Sequence, residues 1–382
     1  MKNKRLIFLI ILIITIGSTY VYGTEDEILK EQEVSIGISS FIQNADKYIS
    51  DEIDGINIKE IFKNAKTGNI GNVNFFNKFL NLFGKEFKNT VGSIGTILIV
   101  ILIHGIFNSI SQNLQNSSTS KITYLVEYIL IATLILTNFS QIILEVKNAI
   151  QNLVGFSNSL VPILTTLILT TGSFTSAGVT RPVLLLIINF IGNSFTNIIL
   201  PLILIGTAFG IVSKLSNENK IEKLSKFFKS SAIWIMGIAM TLFITILSLE
   251  GNITSTVDGV TAKTTKAAVS TTIPVVGKIL GDATDAVIGC VGILKNAVGF
   301  IGTIVIISIC VIPIIKLSIL TITYYIASAV CEPIADEKIV SLLQSMGDTF
   351  KTLLAIMFCI ALLLIVGFTL IIKFSNGILL YR

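Results

Sequence analysis

Charge is what this sequence has least of. Asp, Glu, Lys and Arg together make up 13% of its 382 residues, about half the share of ~25% usual in a soluble globular protein. Histidine occurs once, at His104, so no multi-histidine metal centre and no choice of Ser–His or Cys–His pairs can be assembled. The four cysteines, Cys290, Cys310, Cys331 and Cys359, have no C-x-x-C spacing and read as reduced, apolar packing residues. No G-x-x-x-x-G-K-[ST] occurs, so ATP cannot be hydrolysed here by the P-loop route. These absences point away from an enzyme and from a bound cofactor or metal. The net charge of +5 is too small for a nucleic-acid-binding domain of this length.

What is there is apolar: 52% of the chain is hydrophobic and the mean hydropathy is +0.83. Uncharged stretches cover 89–120, 128–144, 148–180, 182–213, 230–249, 296–315, 317–331 and 352–372. About 20 apolar helical residues cross a hydrocarbon core. Backbone groups in lipid must be satisfied within the segment, so helices are expected and strands are not. The expected class is therefore all-α: a polytopic integral membrane helix bundle with an N-terminal signal peptide and a small helical extracytoplasmic segment.

The ends and loops set an expected organisation. Met1–Arg5 is basic, Leu6–Ile16 is apolar, and Val21-Tyr22-Gly23 precedes the acidic run at 24–27, the pattern of a secretory signal over 1–23. An uncleaved first helix would leave residue 24 on the same side. Residues 24–90 hold eleven acidic and eight basic side chains and are expected outside the cytoplasm. Within them Ile38, Phe41, Ile42, Ala45, Ile49, Ile53 and Ile56 recur at helical spacing. A second stripe of Phe76, Phe79, Leu80, Phe83 and Phe87 suits either a helix in the membrane interface or the core of a small cap.

The multi-span region is 91–375, with about seven to nine spans and a tail at 376–382. The loop 214–229 carries five Lys and two Glu, the strongest marker of a cytoplasmic side. Starting outside at residue 90, alternating spans near 91–112, 122–143, 157–175, 182–200, 201–213, 230–249, 299–315, 317–331 and 352–373 place Lys121, Arg181, the 214–229 loop, Lys316, Lys373 and Arg382 inside and 332–337 outside. Two short runs, 201–213 and 317–331, read as half-helices or as parts of kinked neighbours.

Two kinds of residue stand out as candidates. His104 and Arg181 are ionisable groups within or at the edge of apolar runs, where such groups serve function or bond to a neighbouring helix. The amphipathic segment 251–298 is expected outside, and carries the stripe Lys278, Asp282, Asp285, Gly289, Gly292 and Asn296. Lys278 and Asp282, four apart, can pair on one helix face. The stripe borders a water-filled passage or a partner, or is the wet face of an interfacial helix.

Four long words carry a resemblance: TRPVLLL (180–186), LPLILIGTAFGIVSKLS (200–216), IPVVGKILGDATDAVIGCVGILKNAVG (273–299) and AVCEPIADEKIVSLL (329–343). With them the chain resembles the stage III sporulation protein AE family of endospore-forming bacteria, from about residue 90 to 375. Arg181, Pro182, Pro274, Lys278, Asp282, Asp285, Lys295, Asn296, Glu332 and Pro333 fall in these words. The resemblance implies a multi-pass protein of the mother-cell membrane around the forespore. It implies partners among the other stage III sporulation A-operon membrane proteins, a partner ATPase included, with indirect contact to the forespore stage II sporulation protein Q. It implies a subunit of a channel or secretion-like complex, as pore component or scaffold, working in the lipid bilayer without nucleic acid. A stand-alone permease for a small solute or ion is the alternative.

Overall fold

The computed structural model describes residues 25–50, 57–67, 80–88, 90–92, 95, 99–103, 117–216, 219–272 and 276–375. The signal-like start and His104 lie outside the described residues.

Among the described residues three short helices come first: α1 (Glu25–Ile36), α2 (Ile38–Ser50) and α3 (Ile58–Lys66). Gly37, at φ +77°, separates α1 from α2, a left-handed conformation that glycine adopts without steric cost. Asn57 caps α3, its Oδ1 accepting from the Lys59 and Glu60 amides at 3.0 and 3.3 Å. The apolar stripe on α2 is buried at Ile38, Phe41, Ile42, Ala45 and Ile49.

Long helices follow: α4 (Ser117–Thr170), α5 (Phe174–Ser194), α6 (Leu200–Ser216), α7 (Asn219–Thr272), α8 (Val276–Cys331) and α9 (Glu337–Ser375). The 54 residues of α4, at 1.5 Å each, reach about 80 Å. A π turn over Phe195–Ile199 joins α5 to α6, with the Leu200 amide donating back to Phe195. Pro201 follows at once and lacks the amide that an unbroken α ladder needs there. The run 201–213 is thus the continuation of a kinked neighbour. The 299–315 and 317–331 runs likewise form one helix, as do 122–143 and 157–170, the chain turning at 171–173. Five of the described helical stretches are long and apolar enough to cross a membrane: Tyr128–Thr170, Phe174–Lys214, Lys220–Asp258, Val287–Cys331 and Glu337–Lys373. The first expected span, near 91–112, falls largely outside the described residues.

The helices run up and down. At one end Tyr128 Oη donates to the Ile211 carbonyl (2.8 Å), Ser225 Oγ to Gly206 (2.6 Å) and Ser328 Oγ to Val340 (3.2 Å). At the other, the Thr175 and Ser176 amides donate to the two oxygens of Asp258, at 3.0 and 2.8 Å. The 332–337 turn therefore lies at the same end as 214–229, and Arg181 and Lys373 lie toward the opposite end. This reverses the relative placement that alternating spans gave. The reason is local: isolated charges such as Lys316 look like span boundaries, but here the helix continues through them. The segment 251–298 is likewise no separate element. Its halves extend α7 and α8 to the far end of the bundle.

Contacts between helices fix their relative heights. Lys229 Nζ donates to Thr349 Oγ1 at 2.7 Å, and Phe350 packs on Phe139 and Tyr324 at ring distances of 6.0 and 5.2 Å. These residues mark one level. A higher level is marked by two glycines whose lack of a side chain allows close approach: a Cβ on Gly299 would stand 2.1 Å from Ile372, and one on Gly302 would stand 2.8 Å from Leu160. Thr180, bonded to Glu250, lies just above. Between the levels, α7 and α9 are uncharged over 230–249 and 352–372. Some 20 residues rise about 30 Å, the thickness of a hydrocarbon core. Many hydroxyls in the bundle, such as those of Thr133, Thr207, Thr321 and Thr369, donate to the carbonyl four residues earlier, so they need no partner elsewhere.

Candidate functional site

The uncharged belt is not the same all round. On α5, α7 and α9 its outward side chains are large and apolar, including Leu186, Phe190, Trp234, Leu242, Phe358 and Leu362. Trp234 is 71% exposed. On α4 and α8 the same heights carry charge.

α4 places Gln141, Glu145, Asn148 and Asn152 on successive turns of one face. α8 brings Lys316 to this face, where its Nζ donates to both oxygens of Glu145 at 3.0 Å. Glu86, from the helical stretch 80–88, approaches the same ammonium at 3.8 Å. The three side chains are 24% (Lys316), 40% (Glu145) and 13% (Glu86) exposed. They edge a cavity of about 360 Å³ that Lys85, Asn148, Asn152 and Pro313 also line. Glu145 and Lys316 stand above the Phe139 and Tyr324 level and below that of Leu160 and Gly302, within the belt. A lone charge at mid-depth in lipid costs about 2.5–3.5 kcal/mol on insertion scales. Bidentate pairing and access to the cavity are what make charges tolerable at this height.

α2 covers the next part of this flank. Tyr48 packs edge-on against Phe156 of α4 at 5.6 Å, and Phe41 lies 6.1 Å from the same ring. Tyr48 Oη stands 3.1 Å from the place a Cβ on Gly155 would take. Phe156 is four residues below Leu160, so α2 also sits at belt height. Its outward side chains, Ser39, Ser40, Gln43, Asn44, Asp46 and Lys47, are exposed and polar. On α3 the outward Lys59, Glu60 and Lys63 continue this surface.

Two further polar contacts hold the bundle. Asp258 is 3% exposed and caps the N-terminus of α5 from a different helix, meeting amides that have no partner within their own helix. Asn158 and Asn189 exchange amide hydrogen bonds, both at 3.1 Å, between α4 and α5.

Of the residues singled out from sequence, Lys278, Asp282 and Asp285 lie on the first turns of α8, whose backbone is helical through 276–331. The stripe therefore continues along one face to Asn296, which is exposed, as is Gly289. The Lys278, Asp282 and Asp285 side chains lie outside the described ones. Arg181 is exposed on α5 near the Glu250 contact. The structure does not bring Arg181 and the α8 stripe to the Lys316 cluster. That cluster was readable only in outline: Lys316 alone splits two uncharged runs, and the stripe 141, 145, 148, 152 has helical period. Both features also mark an ordinary loop between spans.

Among the described residues no group of three His, Cys, Asp or Glu side chains could hold a metal ion. Cys290, Cys310 and Cys331 are buried and Cys359 is half-buried.

No solved structure matches the chain. A curated relative, the Stage III sporulation protein AE of Bacillus subtilis (strain 168), is 29% identical over 283 residues, which cover 74% of this chain and 71% of that protein. The family model described as Stage III sporulation protein AE matches residues 56–375, which take in the five membrane-length helical stretches, the Glu86–Glu145–Lys316 cluster and the α8 stripe but not α1 or α2, and on that match the chain belongs to the stage III sporulation protein AE family.

Proposed function

We propose that this chain is a pore component of the mother-cell-to-forespore channel, a secretion-like complex that serves endospore development. The family supports a role in sporulation. The observation that carries the finer reading is the polar flank at belt height, built by Glu86, Glu145, Lys316 and the outward faces of α2 and α3. A scaffold would need only apolar faces there. The partners are the other stage III sporulation A-operon membrane proteins, with the energy drawn from their ATPase, and the forespore stage II sporulation protein Q through them. The site of action is the mother-cell membrane around the forespore. The basic 214–229 end faces the cytoplasm, and α1–α3, which pack against the belt, are reached by water from the other side.

The α8 stripe belongs to the same reading as a passage- or partner-facing surface beyond the belt. Asp282→Leu together with Asp285→Leu should leave the membrane-fraction protein level unchanged and abolish spore formation. Normal spore yield at a normal level would make Lys278, Asp282, Asp285 and Asn296 an ordinary solvated face. The function itself is tested by solubilising the complex from sporulating cells. The chain should co-purify with the other sporulation membrane proteins. Recovery alone, with solute movement after reconstitution, would favour the permease.

A further inference from the structure

The outward face of α7 runs without a break from the basic end into the bare apolar flank. At about 100° per residue, Lys220, Lys223, Phe227, Trp234, Ile238 and Thr241 fall within about 60° of one another around the helix. All six are exposed. The side chains between them are engaged inside the protein. Phe228 stacks on Phe209 of α6 at 5.7 Å, Ser225 Oγ donates to the Gly206 carbonyl and Lys229 Nζ donates to Thr349. Glu222, on another side of the helix, is met by Lys226 at 2.8 Å and by Lys214 at 3.4 Å. From 220 to 241 the outward face therefore carries two ammonium groups and no carboxylate.

On this face the apolar surface begins at Phe227, which is 63% exposed. Lys223 stands about one turn before it and Lys220 about two, some 6 and 10 Å away along the axis. A headgroup layer is about 5–8 Å thick, so long lysine side chains reach it from there while their stems lie on apolar surface. In the other direction lies a groove of about 440 Å³ lined by Ile233, Trp234, Gly237, Ile238, Thr241 and Leu242. A Cβ on Gly237 would meet no heavy atom within 4 Å, so no neighbouring helix fills this space.

We propose that this face of α7 seats one anionic phospholipid of the leaflet at the basic end. Its phosphodiester lies between Lys220 and Lys223, and one acyl chain lies in the groove beside Gly237. Two observations select this occupant. The groove is continuous with the bare apolar flank of α5, α7 and α9, whose exposed Leu186, Phe190, Leu242 and Phe358 meet hydrocarbon. The lysines at its mouth have no carboxylate on their own face, and basic side chains just outside the hydrocarbon attract anionic headgroups. A zwitterionic lipid brings its own ammonium and gains less there. A soluble anion would leave the groove unused.

Trp234 is the only tryptophan in the chain, so its fluorescence reads the groove directly. The full chain is reconstituted into bilayers of phosphatidylcholine and phosphatidylglycerol, with brominated acyl chains as quencher on one lipid or the other. Brominated phosphatidylglycerol should bind beside Trp234 at least about threefold more tightly than brominated phosphatidylcholine, and the preference should shrink as salt rises. Lys220→Gln with Lys223→Gln should bring the ratio close to one while both lipids still quench. Gly237→Leu, whose side chain enters open space, should also lower the ratio. Soluble glycerophosphate should leave it unchanged. Equal quenching of the unaltered chain by the two lipids overturns the seat, as does a preference that survives loss of both lysines. A ratio unmoved by Gly237→Leu overturns it too, leaving only charge attraction at the surface. Displacement by glycerophosphate would make it a site for free anions. Quenching by neither lipid would mean that protein covers this face.

Discussion

Two flanks of one belt show how differently the same height can be built. On α7 and α9 the belt is a clean uncharged run between Lys229 and Glu250 and between Lys351 and Lys373. On α4 and α8 the corresponding stretch contains Glu145, Lys147 and Lys316. The difference is pairing. Lys316 meets Glu145 through both carboxylate oxygens, with Glu86 beside it and a cavity alongside. Along α7 and α9 nothing of that kind stands between the levels, and the outward surface is Trp234, Leu242, Phe358 and Leu362. A charge within a helical crossing is therefore no sign of a loop when another helix answers it.

The comparison breaks most sharply on topology. The up-and-down order puts residues 334 and 219 at one end and 373 at the other. An impermeant maleimide on intact cells should label Ser50→Cys and Lys373→Cys and leave Asn219→Cys and Ile334→Cys unlabelled. Labelling at 334 with none at 373 would restore the alternating spans, with turns inside α4 and α8.

Next in size is a charge moved between flanks. Leu362→Lys should lower the membrane-fraction level severalfold, since a lysine facing lipid costs about 2.5–3.5 kcal/mol. Asn148→Lys, on the polar flank, should leave the level within twofold. Equal losses would mean that both flanks face lipid. A smaller effect is expected where α7 caps α5. Asp258→Ala removes two hydrogen bonds from amides that have no partner within α5, each worth about 0.5–1.5 kcal/mol, and should lower the unfolding midpoint in detergent clearly. Asp258→Asn should recover part of it. An unchanged midpoint for Asp258→Ala would remove this cap from the account of how α5 is held. The smallest change should be Asn158→Ala, which opens the amide pair with Asn189. Interhelical bonds in membrane proteins average about 0.6 kcal/mol. Its midpoint shift should be well below that of Asp258→Ala, and the double change with Asn189→Ala should add little.

Much of the architecture was legible because it rests on local pattern. The stripe Ile38, Phe41, Ile42, Ala45, Ile49 became the buried face of α2, since the side chains of one helix face repeat about every 3.6 residues whatever lies opposite. The 201–213 run was readable as part of a kinked neighbour, because Pro201 removes a ladder amide wherever it stands. The apolar stripe 76–87 left two readings open, and the exposed Leu80, Phe83 and Phe87 show a surface and not the core of a cap. The polar cluster was not legible as such. Glu145 and Lys316 are 171 positions apart, and neither residue's neighbourhood in sequence names the other.

Composition and periodicity alone determined that this chain is helical, apolar and multi-pass, because an uncharged run of 20 residues has few stable alternatives in lipid. They also determined the basic end at 214–229 and the wet character of 24–90. Tertiary structure decided where the helices reverse, since a reversal is absent wherever a distant residue satisfies the charge that suggested it. It also decided that the charged N-terminal helices lie beside the belt and not beyond it, through Tyr48 and Phe41 on Phe156. Which face of a membrane helix is wet depends on what stands opposite it, and that is a property of the packed bundle.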